Sequence, residues 1–305
     1  MAGSGHRRAL LVLLVLGVVA AGCAAQGAPE QGGSSGDRLE VVASMSIIAD
    51  FAEQVGGEAV DVTSLVPIGG DPHVYEPTPS DARAVDSVDL VLGNGVGLEP
   101  WFDDLVAASG QDVVTVAHEL SHLVVDDEDG EDDPHLWMVP PLAATYVERI
   151  ADELADLDPA GAQTYRDNAA AYVDRLEALD AELTDELEQI PDQHRVLVTP
   201  HDAYSYFADH YGFEVETVVG VSTEEEPSAS QVQHLVDVVR ETGVPSVFLE
   251  STVNPAVIER IAADAGVEVG APLYGDSVGE PGSGADDYVG MMRANVAALV
   301  DGLAP

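Results

Sequence analysis

Short β-rich runs alternate with helical stretches along most of this chain, and the alternation is broken once, by two long helical stretches in succession. Before the break, "LEVVASMS", "VDVTSLVP", "DLVLGNG" and "DVVTVA" read as strands, with "IIADFAEQVGG", "PSDARAVDS" and "EPWFDDLVAAS" as the helices between them. After it, "RVLVTP", "FEVETVVG", "VPSVFLE" and "VEVGAP" read as strands, while "AYSYFADHYG", "SASQVQHLVDVVRETG", "NPAVIERIAADAG" and "ADDYVGMMRANVAALVDGL" read as helices. Strands that take turns with helices imply βαβ units and parallel sheets. The break consists of "PLAATYVERIADELADL", an amphipathic helix, and of residues 159–190, predicted as a single helix. Asp158-Pro159 supplies its cap and first helical residue, and Pro191 its stop. Thirty-two residues at ~1.5 Å each make a rod of about 48 Å. Tyr165, Ala169, Tyr172, Leu176, Leu179, Leu183 and Leu187 step by three and four, so the rod has one continuous apolar face and packs on something. The expected fold is therefore α/β: one lobe at 38–158, the helix at 159–190, and a second lobe at 191–305, each lobe a parallel-type sheet flanked by helices.

The N-terminus stands apart from this pattern. "MAGSGHRR" is a short basic start, and residues 9–21 are an apolar run too short to span a bilayer as a helix. Small residues then lead to Cys23, so residues 1–22 read as a secretory signal peptide whose ending resembles a bacterial lipoprotein signal. In such a signal the chain is cut before the cysteine and the thiol is lipidated. Cys23 is the only cysteine, which rules out an intrachain disulfide. Residues 24–37 lack an apolar pattern and read as a flexible tether spanning about 20 Å root-mean-square. The mature protein is expected as a soluble monomer moored to the outer face of a membrane.

The formal charge is −45, and it becomes −47 once residues 1–22, whose only charges are Arg7 and Arg8, are removed. No basic face can form on such a chain, which excludes nucleic acid as a general partner and favours cations over anions. Because the acids are spread along the whole chain, salt adaptation or solubility explains the total equally well.

Four ligand-type side chains share one context, just past a strand or loop: His73 in "GGDPHVYEP", His135 in "DDPHLWM", His201 in "VLVTPHDAYSYF" and Asp276 in "PLYGDSVG". In open α/β sheets the ligand crevice lies at the carboxyl ends of strands, so the four can converge. Their separations of 62, 66 and 75 residues are unlike the close ligand spacing of a zinc finger. Each alone is as well explained by a solvated loop histidine or an Asp helix cap; four together are not.

In this order, "DPHVYEPTPSD", "DPHLWM", "VTPHDAYSYFADHYGFEV" and "LYGDSVG" closely resemble the zinc/manganese solute-binding lipoproteins of ABC transporters, the TroA-like family. The resemblance runs from about Leu39 to Leu303. It implies two βα lobes joined by a long, rigid helix, a Zn²⁺ or Mn²⁺ ion in the cleft held by His73, His135, His201 and Asp276, and delivery of that ion to a membrane permease and its ATPase. Manganese-type relatives often carry Glu at the third position, where this chain has His201. Three imidazoles and a carboxylate suit Zn²⁺, whereas Mn²⁺ is better served by more oxygen. Four protein ligands leave no position open for water, which fits a carrier and not a hydrolytic centre.

Three stretches pull elsewhere. The run "DDEDGEDD" at 126–133 sits where some zinc-type relatives carry a His- and acid-rich loop but has no histidine inside it; it either raises local cation concentration or is a solvated loop. "HELSH" matches H-E-x-x-H, whose two histidines, here His118 and His122, bind zinc on a helix with Glu119 as base in metallopeptidases. The strand before it and the acids after it leave little room for that helix. "GNGVG" lacks the dinucleotide-loop spacing and reads as a tight turn. A surface adhesin is a further role open to a lipoprotein of this type.

Overall fold

The computed structural model describes residues 38–123, 132–224 and 227–305. The stretches read above as signal peptide, lipidated Cys23 and tether, and most of the acidic run, lie outside these residues. Among them, β1 (Leu39–Ala43), β2 (Val60–Ser64), β3 (Leu90–Gly93) and β4 (Val114–Thr115) form one parallel sheet in the order β2-β1-β3-β4. The crossovers are α1 (Ser46–Gly56), α2 (Pro79–Val85) and α3 (Pro100–Ser109). The central strands β1 and β3 send apolar residues to both faces because both faces are covered. Val41, Ala43, Leu90 and Leu92 point into the main core, while Val42 and Val91 point the other way, into a smaller cluster with Val85, Phe102 and Val106.

Two helices follow, α4 (Pro140–Leu157) and α5 (Ala162–Leu187). The seven residues predicted to form the apolar face of α5 are its buried residues. The helix is shorter than the predicted 159–190 rod: at 26 residues it spans about 39 Å. Residues 159–161 form a turn instead, because the Asp158 carboxylate accepts from the backbone N–H groups of Ala160 and Gly161 at 3.1 Å each and closes the chain before the helix begins. At the far end the Arg195 guanidinium donates to the carbonyls of Leu187, Ile190 and Tyr211, tying the end of α5 to the next helix, α6 (Ser205–Tyr211).

In the C-terminal half, β5 (Val196–Thr199) pairs in parallel with β6 (Glu214–Thr217), and β7 (Ser246–Val247) with β8 (Glu268–Val269). Helices α7 (Ala229–Thr242) and α8 (Ala256–Ala265) cover one side, meeting Val196 and Val198 through Leu235, Val239, Ile258 and Ile261. Strands predicted over 244–250 and 267–272 are only two residues long. Pairing continues past them irregularly: Phe248 donates to Val198, Leu273 to Leu249, and a bridge joins Glu250 to Leu273. The last helix, α9 (Tyr288–Leu303), returns to pack on α5. One apolar cluster runs through the molecule, from Val41 and Phe51 through Tyr146, Leu176 and Leu183 to Phe207, Phe248 and Leu299. No described helix is long and apolar enough to cross a membrane.

Candidate metal centre

His73 sits in the loop between β2 and α2. Its N–H donates to the Asp71 carboxylate at 2.9 Å, and the Trp101 indole holds the neighbouring Pro72 carbonyl at 2.6 Å. His135 follows "DDP" and precedes a short 3₁₀ turn, Leu136–Met138. The side-chain amide of Asn94, itself bound by the Tyr146 hydroxyl, fixes the Pro134 carbonyl at 3.1 Å. His201 lies two residues past β5, its N–H donating to Glu250. Asp276 lies beyond β8, on a segment clamped through Tyr274 by both ends of the Asn295 amide on α9. The chain passes closely there: a Cβ on Gly275 would stand 3.0 Å from the Glu250 carboxylate and 3.1 Å from Ala203, a tight fit for any side chain.

These loops bring His73, His135, His201 and Asp276 together. One donor atom from each lies within 4.8 Å of all the others. His73 is 4% exposed and the other three 0%. The imidazole centroids are 5.4–5.6 Å apart. The Nε2 atoms of the three histidines and both Asp276 oxygens are buried without a hydrogen-bond partner. Asp276 stands 3.4 Å from Nε2 of His135 and 3.3 Å from Nε2 of His201. Unpaired buried polar atoms are costly, and five converging on one point need something to pair with.

Two carboxylates support the cluster from behind. Nδ1 of His135 lies 2.8 Å from Asp133, and Nδ1 of His201 lies 2.8 Å from Glu250, the latter at an angle that suits an ion pair more than an aligned hydrogen bond. Asp133 belongs, by sequence, to the acidic run, yet it is 1% exposed. Glu250 carried only a weak signal, an acid ending the apolar run "VFL". Carboxylates in this position fix the ring and make it a better donor to a metal.

The charge states follow from these contacts. Burial alone would depress His135, but Asp133 and Asp276 outweigh it and raise the imidazole to about 9. Burial likewise opposes charge on His201, and Glu250 and Asp276 outweigh it, holding that ring well above its ordinary value. Asp276 is driven well below the usual carboxylate range by His201 and His135, against its own burial. Burial brings His73 down to about 3, against the pull of Asp276. Without an ion, then, two imidazolium rings face one carboxylate, and the third ring is neutral.

Residues 41–302 match the profile of a family described as the periplasmic component A of a zinc-uptake complex. The chain belongs to this family. Within it, the chain is 40% identical over 96% of its length, and 97% of the other, to the manganese-binding lipoprotein MntA of Halalkalibacterium halodurans. It is 35% identical, over 97% and 98%, to the metal ABC transporter substrate-binding lipoprotein ScbA of Streptococcus cristatus. Among solved structures, the periplasmic zinc-binding protein TroA of Treponema pallidum superposes with a TM-score of 0.85 at 31% identity, covering 88% of this chain and all of that one. The family is one of metal-binding components of transport systems, and the α/β fold with its long α5 is the family's two-lobe fold.

The "HELSH" motif does not form the helix that a metallopeptidase needs. His118–Leu123 is a 3₁₀ helix, whose three-residue turn does not stack positions i and i+4 as an α-helix does.

Proposed function

We propose that this protein is an extracytoplasmic carrier that binds one Zn²⁺ or Mn²⁺ ion between His73, His135, His201 and Asp276 and hands it to an ABC permease with its ATPase. The observation that carries this reading is the buried set of donors, one from each of four distant loops, all within 4.8 Å of one another. A tetrahedral site with metal–ligand bonds of ~2.0–2.1 Å has donors about 3.4 Å apart. The His135 and His201 Nε2 atoms stand at that order of distance from Asp276, 3.4 Å from one carboxylate oxygen and 3.3 Å from the other. Relatives named for manganese and for zinc both support the metal class.

On this reading the two lobes are residues 38–158 and 191–305, each giving two ligands, with 159–190 between them. Residues 1–22 are removed, Cys23 takes the lipid, and 24–37 tether a monomer to the outer face of the membrane; two relatives named as lipoproteins support this. Burial of every donor and a full set of four protein ligands support a carrier over an enzyme.

The test is metal content. The purified chain, loaded and dialysed, retains one ion per chain, and His73→Ala or His201→Ala abolishes retention. Unchanged retention in both variants refutes the ligand set. Replacing Cys23 with Ser should shift the protein from membrane to medium; continued membrane attachment refutes the anchor.

A further inference from the structure

The proposed site has no obvious entrance, since three of its donors are wholly buried. The fourth, His73, lines a cavity of about 380 Å³ that opens to the surface, and none of the other three donors lines it. Its walls come from three separate loops: Val96 and Gly97 after β3, Asp132 and Pro134 leading into His135, and Val221, Ser222 and Glu224 after β6. His73 has a buried, unpartnered Nε2.

Resting on the carrier reading, we propose that this cavity is the route by which the ion reaches and leaves the buried donors, with His73 the first donor it meets and Asp132 and Glu224 the charges that draw it in. Both acids are exposed, they stand on opposite halves of the chain, and among the described residues no lysine or arginine lines the cavity. A cleft walled by one sign of charge concentrates counter-ions and raises their capture rate.

The backbone of the rim is built to keep the mouth open. Gly95, Val96 and Gly97 are all left-handed, with φ of 80°, 56° and 77°, and Leu98 N–H closes the turn on the Gly95 carbonyl at 3.2 Å. Val96 is the one non-glycine residue with positive φ among the described residues, an unusual state for a β-branched side chain. It is held there by packing against the main core. Gly97 is exposed, and nothing lies within 4 Å of where its Cβ would be. On the facing wall the Ser222 hydroxyl accepts from Glu224 N–H at 3.2 Å, fixing where that acid begins.

A plug in a route and a change in a site have different kinetic signatures, and stopped-flow exchange of Zn²⁺ between the full chain and a metal-indicator dye separates them. Ser222→Trp should lower the capture and release rates by the same factor and leave Kd unchanged. Ser222→Ala, which removes the hydrogen bond without adding bulk, should keep both wild-type rates. Asp132→Asn combined with Glu224→Gln should slow capture by roughly 3–10-fold at low salt, leave release unchanged, and lose its effect at high salt. Unaltered rates in Ser222→Trp, a changed Kd at an unchanged capture rate, or a double neutralisation with normal low-salt capture each overturn the route. The double variant keeps the test decisive if the tryptophan variant does not fold. A wild-type chain that holds no ion would sink the carrier reading instead, so the two failures are distinct.

Discussion

His135 and His201 are held from behind by carboxylates, whereas no ion pair joins His73 to a carboxylate among the described residues. The first two rings are fixed by Asp133 and Glu250, are fully buried, and are charged in the absence of an ion. The third is fixed through its backbone, stands at the wall of a cavity, and is neutral. The difference teaches how a buried centre can stay folded without its cargo. Two protons give the positive charge beside Asp276, and on the proposed ligand set metal capture becomes an exchange of those protons for a dication.

The strongest way to break this comparison is to remove the carboxylate that both charged rings face. Asp276→Ala leaves two buried positive rings with no common partner, and breaking a buried pair in this way costs about 3–5 kcal/mol. Denaturant unfolding of the metal-free protein at pH 7 should show a loss of that order, together with loss of metal retention. Unchanged metal-free stability would mean that the rings are not charged.

Acidity gives the next effect. Neutral imidazole is the metal-binding form, so protons compete wherever pH lies below the metal-free pKa. An ordinary imidazole at ~6.5 would place the fall in affinity below that pH. Because His135 is raised to about 9 and His201 also lies well above its usual value, the fall should begin near pH 9. Below it, affinity should drop by up to about a hundredfold per pH unit, the slope of two competing protons. Calorimetry at pH 7 in buffers of different ionisation enthalpy should find nearly two protons released. Three would show that His73 is charged too, and none would show that the carboxylates do not hold protons on the rings.

Supporting carboxylates come third. Asp133→Asn and Glu250→Gln should each weaken metal binding by ~10–100-fold. Asp71→Asn, which meets His73 through its backbone N–H and otherwise accepts from the Thr223 hydroxyl, should do less than either. Equal losses in all three, read by chelator competition, would erase the distinction between the rings.

A last effect is on the stability of the metal-free chain as pH rises. A group whose pKa is higher folded than unfolded contributes stability that is complete below the unfolded value and is lost as pH climbs through the folded one. For His135 that window runs from ~6.5 to about 9, and the loss across it should be about 3 kcal/mol. Thermal melting of the metal-free protein at pH 6 and pH 9 reads it, and a higher melting temperature at pH 9 would contradict the assignment.

Much of this was legible in the sequence. The four donors stand in long motifs, and the apolar face of α5 is written in its three-and-four spacing, a local pattern that the tertiary structure had only to bury. The supporting carboxylates were harder to read for opposite reasons. Asp133 is hidden among acids that look alike until the turn at Pro134 folds one of them inward. Glu250 is an acid at the end of an apolar run, with no local cue that a histidine 49 residues away lies against it. The strands of the C-terminal half look longer in sequence than they are, because apolar runs report burial and not ladder geometry. The start of α5 was misplaced because Asp158 caps a turn there, and cap and turn chemistry share the same residues.

The apolar cluster that runs without a seam from the first sheet through α5 to α9 has a consequence for how the molecule comes apart. Two α/β halves would suggest two melting events, but halves that share one interior lose their packing together. Tyr288 deepens the coupling: its N–H donates to Asp50 on α1 and its hydroxyl to the Trp137 carbonyl at 2.6 Å, while the Trp137 indole donates to the Gly275 carbonyl. Such a chain should give a single calorimetric transition, with the van't Hoff enthalpy equal to the measured one. The same continuity makes swinging whole halves apart expensive, because it would wet that interior. On the proposed route the ion therefore passes in and out through the mouth beside His73, without the two halves parting.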